Sequence, residues 1–596
     1  MQGKIDPITL EVMDHRLMSI AEEMEITLLK SSFSTIVKEG GDCSTAIFNA
    51  HGYTVAQAVA IPTHLGTLME SVPQILRKFP VSEMQEGDVY LANDPYTGGT
   101  HLNDITLVIP VTYQGEVIAL TTSMVHHQDI GAMLPGCPTS STSIYQEGLN
   151  LPPLKFYEKG KPVKVVHDII RNNVRIPDTV IGDLRAQVAA GNVGKLRIQE
   201  FMGEFGKDMV LKGMSQLIDR AEFLTRQELR KIPGGRYTFV DYADNDGVDI
   251  NQRIKIQVAV TIKGDEFIAD FTGSNPQVRG PFNVPPSGTL AAACYVIKAI
   301  TGGHTISSNA GAFRPIKLIL PEGSIVNPRP PAAVAARAST ILRITDVLLG
   351  AMVKAVPERL PAGDSHQLVV LYIGGHDPLT DRDYVWGDIA VGGTGGRPTK
   401  DGVDVILQGM VNGQNIPVEA IEAAYPQRVL KTSRICDSGG AGEYRGGLGM
   451  QRVLEATRGS VSITFRGERH YVRPWGLFGG LPGAKSRAFV LRKTGEVEGI
   501  PSKKDLVLQE DDQIHFYTSG GGGYGDPLKR KLSLVLQDVV ENKVSVRGAR
   551  DDYGVVIDEN SMTLDVKKTE NLREERRGSR GGITWTFDRG VDFGKE

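Results

Sequence analysis

Between Asn93 and Asp129 the chain concentrates side chains that bind metal ions. His101 and Asp104 close the run Asn93-Asp94-Pro95-Tyr96-Thr97-Gly98-Gly99-Thr100-His101-Leu102-Asn103-Asp104, and His126, His127 and Asp129 follow in His126-His127-Gln128-Asp129. Imidazole nitrogens and a carboxylate oxygen suit a divalent transition metal such as zinc or manganese, with a fourth protein ligand or water completing the shell. An ion held that way polarises a carbonyl and lowers the pKa of a bound water. Taken singly, each of these residues is more simply a strand cap or a solvated turn residue. Their convergence is the informative feature, and it depends on the elements between them.

Those elements form a hairpin. Two β-rich runs, Ile105 to Tyr113 and Glu116 to Val125, meet at Gln114-Gly115, a pair suited to a two-residue turn. With these as the turn residues, antiparallel pairing sets Asp104 opposite Val125 and Asn103 opposite His126. The His101/Asp104 end and the His126 end then lie side by side, next to a Gly98-Gly99-Thr100 turn that lets the backbone pack closely.

Around this hairpin the pattern predicts a mixed α/β, multi-domain, strand-rich chain: an N-terminal metal-binding α/β domain followed by β-rich middle and C-terminal regions. At 596 residues the chain exceeds one hydrophobic core. Asp6 is a good N-cap and Pro7 a good first helical residue, and Leu10, Met13, Leu17, Ile20, Met24 and Leu28 recur at helical spacing. Ser44 to Phe48 reads as a strand ended by the turn cluster Asn49-Ala50-His51-Gly52. Asn192 to Phe223 reads as helix, with Leu196, Phe201 and Leu211 among its apolar positions, and Pro233-Gly234-Gly235 breaks it. Tyr237 to Phe271 is strand-like, Ser339 to Val353 helical, and the part beyond Thr432 alternates short strands with glycine turns. The expected divisions are 1–235, carrying the metal site, 236–431, a glycine-rich β unit at 432–530, and a C-terminal helix and tail at 531–596. Lys567 to Arg580 is expected to be a solvated helix or strap, and Trp585 and Phe587 to fold back onto the chain.

Composition excludes several function classes. Charged residues make up 23% and the formal net charge is -4, so neither nucleic acid nor an anionic membrane is indicated as a partner. The segment Asp6 to Glu11 is too polar for a signal-peptide core, and no apolar run approaches the ~18 residues that span a bilayer. The expected compartment is the cytoplasm. The four cysteines show no paired spacing, so reduced thiols are expected.

Four motifs carry a resemblance. Asp94 to Asp104, His126-His127-Gln128-Asp129-Ile130-Gly131, Ile61-Pro62-Thr63-His64-Leu65-Gly66 and Gly520-Gly521-Gly522-Gly523-Tyr524-Gly525-Asp526-Pro527-Leu528 are similar to motifs of the hydantoinase B/oxoprolinase family, and the similarity runs from Asp6 to about Leu528. It implies a metal held by Asp42, His101, Asp104 and His126; the place of Asp42 rests on resemblance alone, since nothing local joins residue 42 to residue 101. His127 and Asp129 are candidates to orient a ligating imidazole or to move a proton. His64 is a third candidate facing the same cavity.

The resemblance also implies ATP dependence, yet no G-x-x-x-x-G-K-[ST] occurs in the sequence. Gly520 to Gly525 formally satisfies G-x-G-x-x-G, but Asp526 before Pro527 would cap the following helix and put a carboxylate where a pyrophosphate needs free amides. That run is expected to be a glycine loop packing a strand tightly on a helix. ATP and Mg are therefore expected on a hydantoinase A-like, kinase-like partner subunit, in an (αβ)2 assembly. The implied activity is ATP-dependent opening of a cyclic amide, a hydantoin or lactam. Two alternatives stand beside it: the metal-bearing subunit of an ATP-dependent carboxylase using bicarbonate, and a non-catalytic scaffold with a structural metal.

Overall fold

The computed structural model describes residues 4–593 except 304, 407, 408, 581, 582, 584, 585 and 592, and of Arg580 the backbone alone. Helix α1 (Pro7–Ser31) begins where the sequence places it: Asp6 accepts hydrogen bonds from the Ile8 and Thr9 amides, and Leu10, Met13, Leu17, Ile20, Met24 and Leu28 are all buried. A short α2 (Thr35–Lys38) leads into a seven-stranded sheet ordered β2-β1-β5-β4-β3-β6-β7. Its strands are β1 (Cys43–Asn49), β2 (Thr54–Gln57), β3 (Val89–Ala92), β4 (Asp104–Tyr113), β5 (Glu116–His126), β6 (Leu154–Glu158) and β7 (Lys161–Pro162).

Helices cover both faces of this sheet. Helix α3 (Pro62–Lys78) packs Leu68, Val72 and Ile75 against Ala46, Phe48, Val108, Leu120 and Met124. After α4 (Lys164–Asn173), helices α5 (Pro177–Phe205) and α6 (Lys207–Leu229) join α1 on the opposite face, over Ile47, Ala119 and Val125. Within α5, Phe201 is buried as its spacing predicts, whereas Leu196 is exposed.

The β4–β5 hairpin corrects the predicted register by one residue. Gln114 and Gly115 both take positive φ, 53° and 84°, as a type I′ turn requires. Beyond them Val111 pairs with Ala119 while Thr112 pairs with Val117, so Ile118 is an extra residue in β5. Ile118 and Ala119 consequently enter the same apolar cluster, the signature of a β-bulge. From there to the strand ends the pairing is shifted, and Asp104 lies opposite His126 rather than Val125. Directly opposed residues share a face, so the bulge turns both side chains towards α3.

A second sheet, β11-β10-β9-β8, comprises β8 (Gly235–Ala243), β9 (Ile254–Lys263), β10 (Glu266–Asp270) and β11 (Ile316–Ile319), packed against α7 (Pro286–Ile300) and, after the short α8 (Ala310–Phe313), α9 (Arg337–Met352). A third joins β13 (Arg382–Val391) and β12 (Leu368–Asp377) to β16 (Val461–Arg466) and β20 (Lys503–Leu508). This sheet runs across the division expected at residue 431: β12 hydrogen-bonds β16 over Val370 to Gly375, and antiparallel pairing needs no closeness in sequence. The fourth, β14-β15-β21-β18-β19, contains β14 (Gln427–Arg434), β15 (Met450–Ala456), β18 (Arg487–Leu491), β19 (Val497–Ile500) and β21 (Gln513–Tyr517), with β17 (Gly476–Leu477) outside it.

The glycine run after β21 is not a loop at a helix N-terminus. Its successive amides donate to three different neighbours: Gly521 to the Gly447 carbonyl, Gly522 to Gly363 and Gly523 to Leu481. Bonds that change neighbour at every residue place the run inside a bundle of backbone segments. A Cβ at Gly520, Gly521, Gly522 or Gly523 would lie 2.0 to 2.2 Å from a backbone carbonyl oxygen. Asp526 does cap as expected, but a 3-10 turn, accepting from the Leu528 amide.

The C-terminal helix spans Val566–Arg580, and Phe587–Asp588 then pairs with β17, placing Phe587 against Phe239 and Trp475. The expected return of Phe587 onto the chain is thus observed, while Trp585 lies outside the described residues. All four cysteines are free. Among the described residues no helix is long and apolar enough to cross a membrane.

Candidate metal centre

Three segments of the first sheet and one helix converge on a buried cluster of imidazoles and carboxylates. His101 and Asp104 are delivered by the loop between β3 and β4. Asp94 caps its first turn by accepting from the Tyr96 amide at 2.9 Å, and Gly98, at φ 96°, turns the chain against α3, where a Cβ would meet the Glu70 carbonyl oxygen at 2.8 Å. Asn93 clamps the loop, donating to the Leu102 carbonyl and accepting from the Leu151 amide, both at 2.6 Å. His126 ends β5. Asp42 immediately precedes β1, which pairs with β5, and its carbonyl accepts from the His126 amide at 3.1 Å. His64 comes from the first turn of α3, on the face that covers the strand ends.

Asp104 is the hub. Its Oδ1 lies 2.8 Å from His101 Nε2, 3.2 Å from His126 Nδ1 and 3.6 Å from His64 Nε2, and His64 Nε2 lies 3.5 Å from Asp42 Oδ1. His101 Nε2 and His126 Nδ1 face each other at 3.2 Å. The other Asp104 oxygen accepts from Arg337 at 2.5 Å and from Thr100 Oγ1 at 2.8 Å.

The outer nitrogens decide what the inner ones can do. His101 Nδ1 lies 3.2 Å from the Ala335 carbonyl, an acceptor only, so Nδ1 carries the proton and Nε2 turns a lone pair inwards. The Ser44 hydroxyl donates its one proton to the Cys43 carbonyl and can only accept from His64 Nδ1 at 3.3 Å, which fixes His64 in the same tautomer. His126 Nε2 meets Tyr372 Oη at 2.7 Å, leaving Nδ1 turned to the cluster. Lone pairs and carboxylate oxygens aimed at one point repel unless a cation lies between them. Metal bonds of 2.0–2.2 Å at tetrahedral angles hold ligand atoms roughly 3.3 Å apart, and the separations here bracket that value. The donor set therefore fits a divalent transition metal. The ligand atoms of His101, Asp104 and His126 all lie within 4.8 Å of one another.

The protonation tendencies of the chain alone agree with this picture at His101 and Asp104 and depart from it at His64. Burial, followed by the Arg337 charge, pushes His101 down to about 3. Burial opposes the charged form of Asp104, but His101, Arg337 and His64 outweigh it and hold the carboxyl well below the usual range. Burial likewise opposes protonation of His64, yet Asp104 and Asp42 prevail and raise it.

Two of the predicted residues point elsewhere. Alternation along β5 turns His127 to the α5 face, where Nε2 lies 3.4 Å from Gln187 Oε1 and burial pushes the ring down to about 4. Asp129 accepts from the Arg175 amide at 2.5 Å and its guanidinium at 2.8 Å, tying the chain after β5 to the start of α5. Both brace the end of β5, whereas His64 joins the cluster.

No local signal in the sequence marked Tyr372 on β12, Arg337 on α9 or Arg466 on β16, which line the same cavity as His64, His101 and His126; Ile61, Leu368, Val370, Ile389 and Val411 form its apolar walls. Glu147 went equally unmarked. This buried carboxylate accepts from the Val334 and Ala335 amides and from Ser141 Oγ, holding the segment whose Ala335 carbonyl orients His101. Burial pushes Glu147 up from 4.5 to about 7. A carboxyl raised on folding contributes stability that is complete below its unfolded pKa and lost as pH rises through the folded one. Glu147→Gln should therefore remove up to about 3 kcal/mol of stability loss between pH 4.5 and 7. Urea unfolding of both proteins across that range checks this; parallel profiles would contradict it.

Residues 6–527 match the family described as hydantoinase B/oxoprolinase. An uncharacterised protein of Methanocaldococcus jannaschii is 36% identical over 96% of this chain and 100% of its own. A putative D-/L-hydantoinase subunit from a Pseudomonas species is 33% identical over 96% of this chain and 98% of its own. The crystal structure of ATP-dependent caprolactamase from Pseudomonas jessenii superposes with a TM-score of 0.87 at 30% identity, covering 96% of this chain and 100% of that one.

Proposed function

We propose that this chain, which belongs to the hydantoinase B/oxoprolinase family, is the metal-carrying subunit of an ATP-dependent amidohydrolase that opens a hydantoin or lactam ring. The observation that carries the reading is the convergence of Asp42, His64, His101, Asp104 and His126 beside an apolar-walled cavity. Relatives named as one subunit of a hydantoinase and as the beta chain of caprolactamase support the substrate class and a separate partner chain. ATP is assigned to that partner, with phosphoryl transfer driving the opening of an amide that is itself a poor electrophile.

In this reading Asp42, His101, Asp104 and His126 hold zinc or manganese. A divalent ion there would supply Lewis acidity towards a carbonyl oxygen and lower the pKa of water. Ile61, Leu368, Val370, Ile389 and Val411 contact the ring methylenes and exclude bulk water. Ser44 and Ala335 keep His64 and His101 in the tautomers the site needs, and Tyr372 orients the ring of His126. His64 Nε2, between Asp104 and the partly exposed Asp42, is placed to carry a proton between the cavity and solvent.

The test is purification with the ATP-binding partner chain and an assay of ring opening on hydantoin, N-methylhydantoin, oxoproline and caprolactam, with and without bicarbonate. ATP-coupled ring opening without added bicarbonate, lost on metal removal and restored by metal, is the expected result. Incorporation of bicarbonate carbon into product would move the protein to the carboxylases. Full turnover after metal removal would leave the chain a scaffold.

A further inference from the structure

Arg466, the last residue of β16, is 3% exposed and lines the cavity of the candidate metal centre. Among the described residues it makes no side-chain hydrogen bond or ion pair, and its Nε and Nη1 are buried without a partner. A guanidinium does not deprotonate to escape such a place. Buried charges are held by an opposite charge or by a ligand that supplies one. The second cavity guanidinium, Arg337, is already engaged by Asp104.

The charges around the cavity define what is missing. Asp42 and Asp104 offset Arg337 and Arg466, and the imidazoles add no negative charge, so a bound divalent cation leaves the site with an excess of positive charge. The groups beside Arg466, the Tyr372 hydroxyl and the Cys137 thiol, are an uncharged phenol and an uncharged thiol and do not correct it. The free donors of Arg466 are a fork matched to two oxygens of one anionic group.

We propose that Arg466 is the substrate-anchoring residue of this cavity and binds an oxyanion, a carboxylate or a phosphoryl group, of the molecule that reacts there. This rests on reading the cluster as a reaction centre. The oxyanion has two sources: a carboxylate already on the cyclic amide, or phosphoryl oxygens introduced during ATP-dependent activation.

The experiment is calorimetric binding of 5-oxoproline, uncharged 2-pyrrolidinone and inorganic phosphate to the purified two-chain complex without ATP, in the wild type, Arg466→Gln and Arg466→Lys. The partner also binds phosphates, so the difference between wild type and Arg466→Gln is diagnostic. The Gln variant should bind 5-oxoproline, phosphate or both at least about tenfold more weakly, with Lys intermediate and 2-pyrrolidinone indifferent to the change. Loss confined to 5-oxoproline assigns the ring carboxylate, and loss confined to phosphate assigns the phosphoryl group. Equal anion binding by all three proteins, or no anion binding by the wild type, overturns the proposal. Unfolding midpoints matching the wild type exclude a folding defect. Because the readout is binding, an inactive complex that retains Arg466-dependent anion binding would sink the hydrolase reading and spare this one.

Discussion

Asp104→Asn is expected to abolish binding of the proposed divalent metal and to lower turnover by more than about a hundredfold while leaving the protein folded, because the residues that merely orient metal ligands already cost about 10–100-fold when lost. Asp104 Oδ1 faces the inward nitrogens of both His101 and His126, at 2.8 and 3.2 Å. The asparagine keeps an oxygen for Arg337 and Thr100, which hold the other side of the carboxylate, but presents an amide donor to the imidazole lone pairs. Asp104→Ala is a different experiment. It removes the counter-charge of Arg337 beside the already unpaired Arg466, and leaving a buried partner uncompensated costs about 3–5 kcal/mol. Metal content, turnover and the urea midpoint of both variants separate the effects. An asparagine variant with full metal content would refute the assigned role of Asp104.

The second large effect is expected far from the cluster. Gly522→Ala places a Cβ 2.0 Å from the Trp475 carbonyl oxygen and 2.6 Å from its carbon. Gly522 cannot retreat, because its amide donates to Gly363 and its carbonyl accepts from Gly396. Overpacking against the rigid Trp475–Gly476 backbone should cost about 3 kcal/mol or more, seen as a lower urea midpoint or loss of soluble protein. Gly203, exposed on α5 with nothing near its would-be Cβ, is the control: alanine there should be neutral or stabilising by up to about 1 kcal/mol. Equal midpoints for the two variants would contradict the bundle.

The local parts of this architecture were legible in the sequence. Helix α1 announced its cap, its first residue and its six buried positions because helical spacing is set within a few residues. The hairpin announced its turn through Gln114-Gly115. Its register came out one residue off because nothing in the turn encodes the bulge at Ile118, and that one residue puts His126 on the same face as Asp104. The same alternation explains why His127, a neighbour in sequence, points to Gln187 on the other side.

What the sequence could not join, the sheets join. Asp42 reaches the cluster because β1 pairs with β5, and this was available beforehand only through resemblance. Tyr372, Arg337 and Arg466 arrive from residues more than two hundred positions away, on elements whose apolar patterns explain their folding but not their meeting. The third sheet crosses the division expected at residue 431 for a related reason. Turn chemistry marks where a strand ends, not which strand it will pair with, and β12 pairs with β16 across that break.

The measurement that bears most directly on the central claim is anomalous diffraction from crystals of the purified protein, recorded on both sides of the absorption edge of the metal found by elemental analysis. The account predicts one strong anomalous peak about 2.0–2.2 Å from His101 Nε2, Asp104 Oδ1 and His126 Nδ1. A protein whose turnover requires metal but whose crystals hold that metal elsewhere would contradict it.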